Sequence, residues 1–279
     1  MELELDERQR AMLQEMGVRV WQPVTVPQAM QAMNAPVPVP VHPLRAANAI
    51  PPVRVQSTPA GAVAVASTPG EPLALAGLEW EALAGAAAAC QACGLCAGRK
   101  HATLCVPDEA VQADWLVVGD PPDEDEDRLG QPFAEQAGVL LDAMLKAVDA
   151  SRAGRGRRGA HVSNIVKCRP PPGRAVQTSE LAQCAQYLQR ELELVQPKVI
   201  LAMGRTAAQW LLQEHPQEAA LPLGKQRGAV YRYRGIPVVV TYHPKFLLRA
   251  SADKAKAWAD LCLAMDVIEP PRSTGASLQ

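Results

Sequence analysis

The residues in this chain that could do chemistry fall into two groups: a set of cysteines, and a few polar side chains at the ends of apolar runs. Cys90 and Cys93 form a C-x-x-C, and Cys168 and Cys184 follow far downstream. A C-x-x-C alone leaves a zinc site, a redox pair and coincidence open. Cys96 and Cys105 lie close enough to compete as ligands. Cys96 is the nearer substitute, although a small buried hydrophobe is the better reading of it, and Cys262 sits on an apolar helix face as core. Asp120 offers a carboxylate in the loop Gly119-Asp120-Pro121-Pro122-Asp123. Asn164 follows an apolar run and His243 precedes Pro244. An Asn at a strand end is often only a loop cap and a lone His is more often structural, so neither carries a function unaided.

These residues need a scaffold, and the hydrophobic pattern supplies one. An Ala-rich helix from Leu78 leads into the first cysteines, and the run 114–119 reads as a buried strand ending in a loop. Ala137, Leu140, Leu141, Met144, Leu145 and Val148 give helical periodicity over 135–149. A strand at about 160–166 is followed by the loop Pro170-Pro171-Pro172 and by a helix from Thr178 to about Val195. The apolar run 198–203 leads through Gly204 into another helix. Residues 229–234 and 236–241 read as paired strands around Arg234-Gly235, and a helix over about 252–267 ends the pattern. Strands alternating with helices predict a three-layer α/β/α fold with a largely parallel sheet, whose sites form at the carboxyl ends of its strands.

Composition bounds the rest. The chain has 279 residues, 48% of them hydrophobic, and eleven of its 25 prolines precede residue 75. That predicts a short helical segment at 1–24, a disordered Pro/Ala-rich linker at 25–76, a folded domain at 77–269 and a disordered tail at 270–279. The formal net charge is -1, so no global positive field marks a nucleic-acid binder. Two carboxylate-free segments are nevertheless basic. Ser151–Arg174 carries Arg152, Arg155, Arg157, Arg158, Lys167, Arg169 and Arg174, and Gly224–Arg249 carries Lys225, Arg227, Arg232, Arg234, Lys245 and Arg249. Flanking the best motifs, they predict a phosphate-binding face. No apolar run reaches the roughly 20 residues of a membrane span, and the acidic start suits no secretory signal, so the expectation is a cytoplasmic protein with no membrane partner. There cysteines stay reduced, which favours metal or cluster ligation over disulfides.

The motif Asn-Ile-Val-Lys-Cys-Arg-Pro-Pro-Pro-Gly-Arg at 164–174, with C-x-x-C before it and Cys184 after it, resembles the family-4 uracil-DNA glycosylases. The resemblance covers roughly residues 80–267. It includes the segment 119–133, Leu-Ala-Met-Gly-Arg-Thr-Ala-Ala at 201–208 and Thr-Tyr-His-Pro-Lys-Phe-Leu-Leu-Arg at 241–249. It implies a structural [4Fe–4S] cluster on Cys90, Cys93, Cys168 and Cys184. It also implies uracil-containing DNA as the partner and a hydrolase that removes the base.

Such excision passes through an oxocarbenium-like transition state with uracil leaving as an anion, after the base has been flipped into a pocket. The resemblance assigns the substrate-binding positions to Gly119, Pro121, Phe133 and Asn164. Phe133 would stack on the ring, while Asn164 would donate to uracil O4 and accept from N3–H, which cytosine cannot match. His243 would donate to O2 as negative charge develops, and Asp120 would face the sugar. Here the chain departs from the family pattern G-E-x-P-G. Asp120 is one methylene short, a withdrawal of about 1 Å that can cost about a hundredfold in rate. Asp123 replaces a glycine whose place suggests positive φ or close approach to the ligand, and it brings negative charge to the site. The departures set an alternative beside the enzyme, a catalytically impaired relative that binds nucleic acid or a repair or replication partner; a zinc-stabilised binding module is a third reading. Residues 1–20 could dock on such a partner as a short amphipathic helix. A monomer is the expectation for the chain itself.

Overall fold

The computed structural model describes residues 75–107 and 112–269. The expected segment at 1–24, most of the linker at 25–76 and the tail at 270–279 lie outside the described residues. Helix α1 (Trp80–Ala89) and a 3-10 turn (Gly94–Gly98) precede β1 (Ala113–Gly119), α2 (Glu124–Leu129), α3 (Glu135–Ala147) and β2 (Gly156–Asn164). Then come α4 (Thr178–Val195), β3 (Val199–Met203), α5 (Arg205–Leu211), α6 (Pro216–Ala219) and α7 (Leu223–Gln226). Strands β4 (Val230–Tyr233) and β5 (Ile236–Thr241), α8 (Pro244–Arg249), a 3-10 turn (Ser251–Asp253) and α9 (Lys254–Ile268) complete the order.

Every residue of β1 is buried, as a strand covered on both faces requires. Its side chains alternate. Trp115 and Val117 pack with Leu141, Met144 and Leu145 of α3 and Leu261 of α9, whereas Leu116 and Val118 pack with Leu188 and Leu192 of α4 and Ala207 and Leu211 of α5. Two apolar layers sandwiching one sheet give the expected α/β/α fold. A third cluster joins Trp80 and Leu83 of α1 to Leu95, Val166 and Tyr187, which fastens the cysteine-bearing segment to the sheet.

The sheet order is β2-β1-β3-β5-β4, parallel except for the β4–β5 hairpin. That hairpin turns through Arg234 and Gly235, both at positive φ (50° and 82°), as a tight two-residue turn demands. The chain winds from β1 out to β2, then crosses to β3 on the other flank, so its direction reverses at β1. Register aligns the strand ends: Gly119 pairs with Asn164 and Met203, and Met203 with Thr241. The loops that begin at Asp120, Ile165, Gly204 and Tyr242 therefore emerge side by side. Two differences from expectation are local. Strand β2 starts earlier, at Gly156, because its exposed Arg157 and Arg158 hide the pattern. Helix α2 is polar up to its last residue, the exposed Leu129, and shows no apolar period; it is held by an Asp123–Glu126 capping box at its start and Gly130 in the left-handed region at its end. Among the described residues, no helix is long and apolar enough to cross a membrane.

Candidate functional site

The loop after β1 places Asp120 at the start of α5. Its Oδ1 accepts from the backbone N–H groups of Thr206 (2.8 Å) and Ala207 (3.1 Å). Burial raises its pKa, and those helix N–H groups oppose the rise. Gly204, at φ 108°, gives this carboxylate its room, because any Cβ there would strike it. The shorter side chain is thus fixed by α5, and both backbone bonds fall on one oxygen.

Asn164 ends β2 fully buried. Its Nδ2 donates to the Asp120 carbonyl (2.9 Å) and to Glu126 Oε1 (3.2 Å). Both amide hydrogens are therefore committed inside the protein. Oδ1 is buried without a partner. The expected donation to uracil O4 is not available from this geometry; what remains is an acceptor. The reverse orientation of the amide would set Oδ1 against a carbonyl and a carboxylate, so the surroundings fix its sense.

His243 is 8% exposed and caps α8, its Nδ1 accepting from the Lys245 N–H (3.2 Å). Burial, reinforced by the Lys245 charge and opposed by Asp123, pushes its pKa down to about 3. The ring is neutral with its proton on Nε2, the tautomer that can donate outward. Phe133 stacks against it at 5.0 Å between centroids and 10° between planes. A Cβ on Gly119 would come within 2.6 Å of the Phe133 ring, so Gly119 is needed for this packing. Phe133 itself is 2% exposed and sits at φ 51°, held by its N–H to Glu126 Oε1 (2.7 Å) while Arg152 donates to its carbonyl (3.4 Å) and that of Pro132 (3.2 Å). Pro121 lies half-buried beside Asp120.

Two residues at the centre of the site escape sequence reading. Glu126 is 1% exposed; its Oε2 accepts from the Asp123 N–H (3.0 Å) and from Lys245 Nζ (2.9 Å), and its Oε1 from Phe133 and Asn164. Lys245 also pairs with the Asp123 carboxylate. Its own pKa, which burial alone would lower, is raised by these two partners. The expected trouble at Asp123 does not arise. Its backbone is extended (φ −94°), it caps α2 and its charge is met by Lys245; burial notwithstanding, Lys245 and the Glu126 N–H hold its pKa below the ordinary value. Polar runs hide such roles, and only the N-cap spacing Asp123-x-x-Glu126 signalled one.

Cys90, Cys93, Cys168 and Cys184 surround one cavity, together with Ala87, Leu95 and Tyr187; Cys96 lines it too. No disulfide joins any of the seven cysteines, all of which are among the described residues. Arg99 donates to Cys168 Sγ (3.3 Å) and the Lys167 N–H to Cys184 Sγ (3.1 Å), the type of bond that stabilises a ligating thiolate. Among the described residues no three His, Cys, Asp or Glu side chains stand close enough to hold a single ion. Four cysteines lining one cavity supply the all-thiolate donor set that an iron–sulfur cluster requires.

Most cations of the basic segments stand in ion pairs, several of them exposed. Arg152 pairs with Asp142, Arg157 with Glu269, Arg158 with Asp149, Arg169 with Glu124, Arg174 with Glu180 and Arg227 with Asp260. Lys167 is buried on Glu191. Exposed cations outside these pairs, near the strand ends, are Arg205, Lys225 and Arg249.

The chain also matches known proteins. Residues 107–262 match the family model for the uracil DNA glycosylase superfamily. The type-4 uracil-DNA glycosylase of Sulfurisphaera tokodaii is 34% identical over 160 residues, covering 56% of this chain and 69% of that one. Those of Archaeoglobus fulgidus and Thermotoga maritima are 34% identical over 161 residues and 32% over 168, covering 78% and 82% of their lengths and 56% and 60% of this chain.

Proposed function

The chain belongs to the uracil-DNA glycosylase superfamily, among relatives of the type-4 enzymes, and from that membership we propose a DNA-repair hydrolase that cuts the N-glycosidic bond of uracil in DNA. The reading is supported above all by the unpartnered, buried Oδ1 of Asn164, an acceptor waiting for a donor. Uracil presents N3–H to it; cytosine presents a lone pair and would leave two acceptors facing each other without water. Phe133 and Gly119 shape the wall against which the flipped base lies, with Pro121 at its edge.

His243 Nε2–H donates to uracil O2 as the bond lengthens and the base takes up negative charge. A neutral imidazole suits that task, since it donates without having to give up its proton. Asp120, with Oδ1 fixed by α5, turns Oδ2 toward the sugar, where it offsets the cationic ring and orients the attacking water. Phe246 and Leu248, exposed on α8 beside His243, fill the gap the extruded base leaves. Arg205, Lys225 and Arg249 contact the backbone phosphates.

Cys90, Cys93, Cys168 and Cys184 hold a [4Fe–4S] cluster, which ties the segment before β1 to the loop after β2 and has no part in bond cleavage. The enzyme works as a monomer in the cytoplasm, and residues 1–24 serve as a docking segment for a repair or replication protein. Incubating the protein with an oligonucleotide carrying one uracil, followed by alkali, tests the activity. Uracil-dependent strand scission that falls in Asp120→Asn supports it. Its absence from an iron-loaded protein refutes it.

A further inference from the structure

Lys245 has no part in the reaction as outlined, yet it touches both loops that carry it out. Its Nζ bridges the carboxylates of Asp123 and Glu126, across the sheet end from its own helix α8, and its backbone N–H fixes the His243 tautomer. Glu126 passes the connection on, because its other oxygen accepts from the Asn164 amide and the Phe133 N–H. An ionised Glu126 can only accept hydrogen bonds. It therefore faces Nδ2 of Asn164 and leaves Oδ1 for the base. A protonated Glu126 would gain an O–H donor and remove one of the two acceptors that hold the amide, leaving only the Asp120 carbonyl against a turn that presents an NH2 where uracil already has N3–H. The groups facing Glu126 are Asp123 and Asp120 on the first loop, the Asn164 amide on β2, the Phe133 N–H and Lys245 on α8; Lys245 is the one cation among them.

We propose that Lys245 is a specificity-determining positioning residue: by clamping Asp123 and Glu126 it holds the Asn164 amide in the sense that reads uracil. The proposal rests on the glycosylase reading for its consequence, but the clamp can be tested without it. With the positive charge removed, Asp123 and Glu126 lose the cation they share, and the Glu126 carboxylate is left buried, at 1% exposure, without a counter-charge.

The test compares Lys245→Met and Lys245→Arg with the wild type in single-turnover uracil excision across pH, alongside thermal melting of the same samples. At about pH 6 Lys245→Met is expected to be slower by about tenfold or more and to approach the wild-type rate as pH rises, while Lys245→Arg stays within about threefold throughout. Melting should move the other way. Where the folded state favours the protonated carboxyl, stability is present at low pH and lost as pH rises, so the melting deficit of Lys245→Met should widen with pH. A general folding defect cannot give a rate that recovers while stability falls. A rate loss equal at all pH values, or one that appears as a reduced salt dependence of binding, would make Lys245 a mere surface pair or a phosphate contact and overturn the proposal. Inactivity of the wild type would refute the glycosylase reading, leaving the melting comparison to decide the clamp.

Discussion

Gly204→Ala separates the pose of Asp120 from the stability of the fold. Gly204 sits at φ 108° and ψ 171°, a region that residues with a Cβ almost never occupy, at a cost of about 1–3 kcal/mol. For a domain of this size, melting should fall by about 2–12 °C. The larger effect is on chemistry. The added methyl would meet the Asp120 carboxylate, whose Oδ1 is bonded to Thr206 and Ala207, so the carboxylate must leave those donors and shift by roughly an ångström, a displacement that can cost about a hundredfold in rate. Single-turnover excision well below the melting temperature measures the rate, and calorimetry on the same preparation measures the stability. A G204A protein that melts lower yet excises uracil within about threefold of the wild type would refute the placement of Asp120 at the sugar.

The low pKa of His243 gives a pH signature. A His held neutral to about pH 3 in the folded state and titrating near 6.5 when unfolded contributes stability above pH 6.5 that is lost as pH falls, about 2 kcal/mol by pH 5. Melting curves of His243→Asn should lack that part of the acid sensitivity, and its excision rate should drop by roughly 10²–10³ at neutral pH. Lys167→Met strips the buried Glu191 of its cation (2.6 Å) and the Asn164 carbonyl of a donor (3.1 Å), at about 3–5 kcal/mol, and should lower melting by about 6–20 °C. Cys168→Ser should lose iron and acid-labile sulfide, whereas Cys96→Ser, although its thiol lines the same cavity, should keep both; metal and sulfide analysis per chain decides.

Much of the fold was legible because it rests on patterns that repeat. The apolar runs 114–119 and 198–203 read as strands buried on both faces, and 135–149 and 178–195 read as helices that match α3 and α4 closely. What escaped was short and polar. Helix α2 has no apolar period, since it is held at its ends by Asp123, Glu126 and Gly130 rather than by a face on the core. The site divides in the same way. Asp120, Phe133, Asn164 and His243 could be singled out because each stands in a motif that resembles the family-4 pattern, and the register that aligns Gly119, Asn164, Met203 and Thr241 brings the ends of β1, β2, β3 and β5 together.

Their partners could not be read, because a hydrogen bond across 122 positions, as between Lys245 and Asp123, has no trace in local sequence. This explains why Asp123 looked more damaging alone than it is in place. Read singly, it puts a negative charge where a glycine belongs; folded, it caps a helix and meets a lysine from the opposite loop. The basic segments also read differently once folded. A run of cations without a neighbouring carboxylate suggests a phosphate-binding face, but Glu124, Glu191 and Glu269 arrive from distant elements to pair with Arg169, Lys167 and Arg157. Charge patterns along a chain locate electrostatic partners only when those partners are also close in sequence, and in this fold most are not.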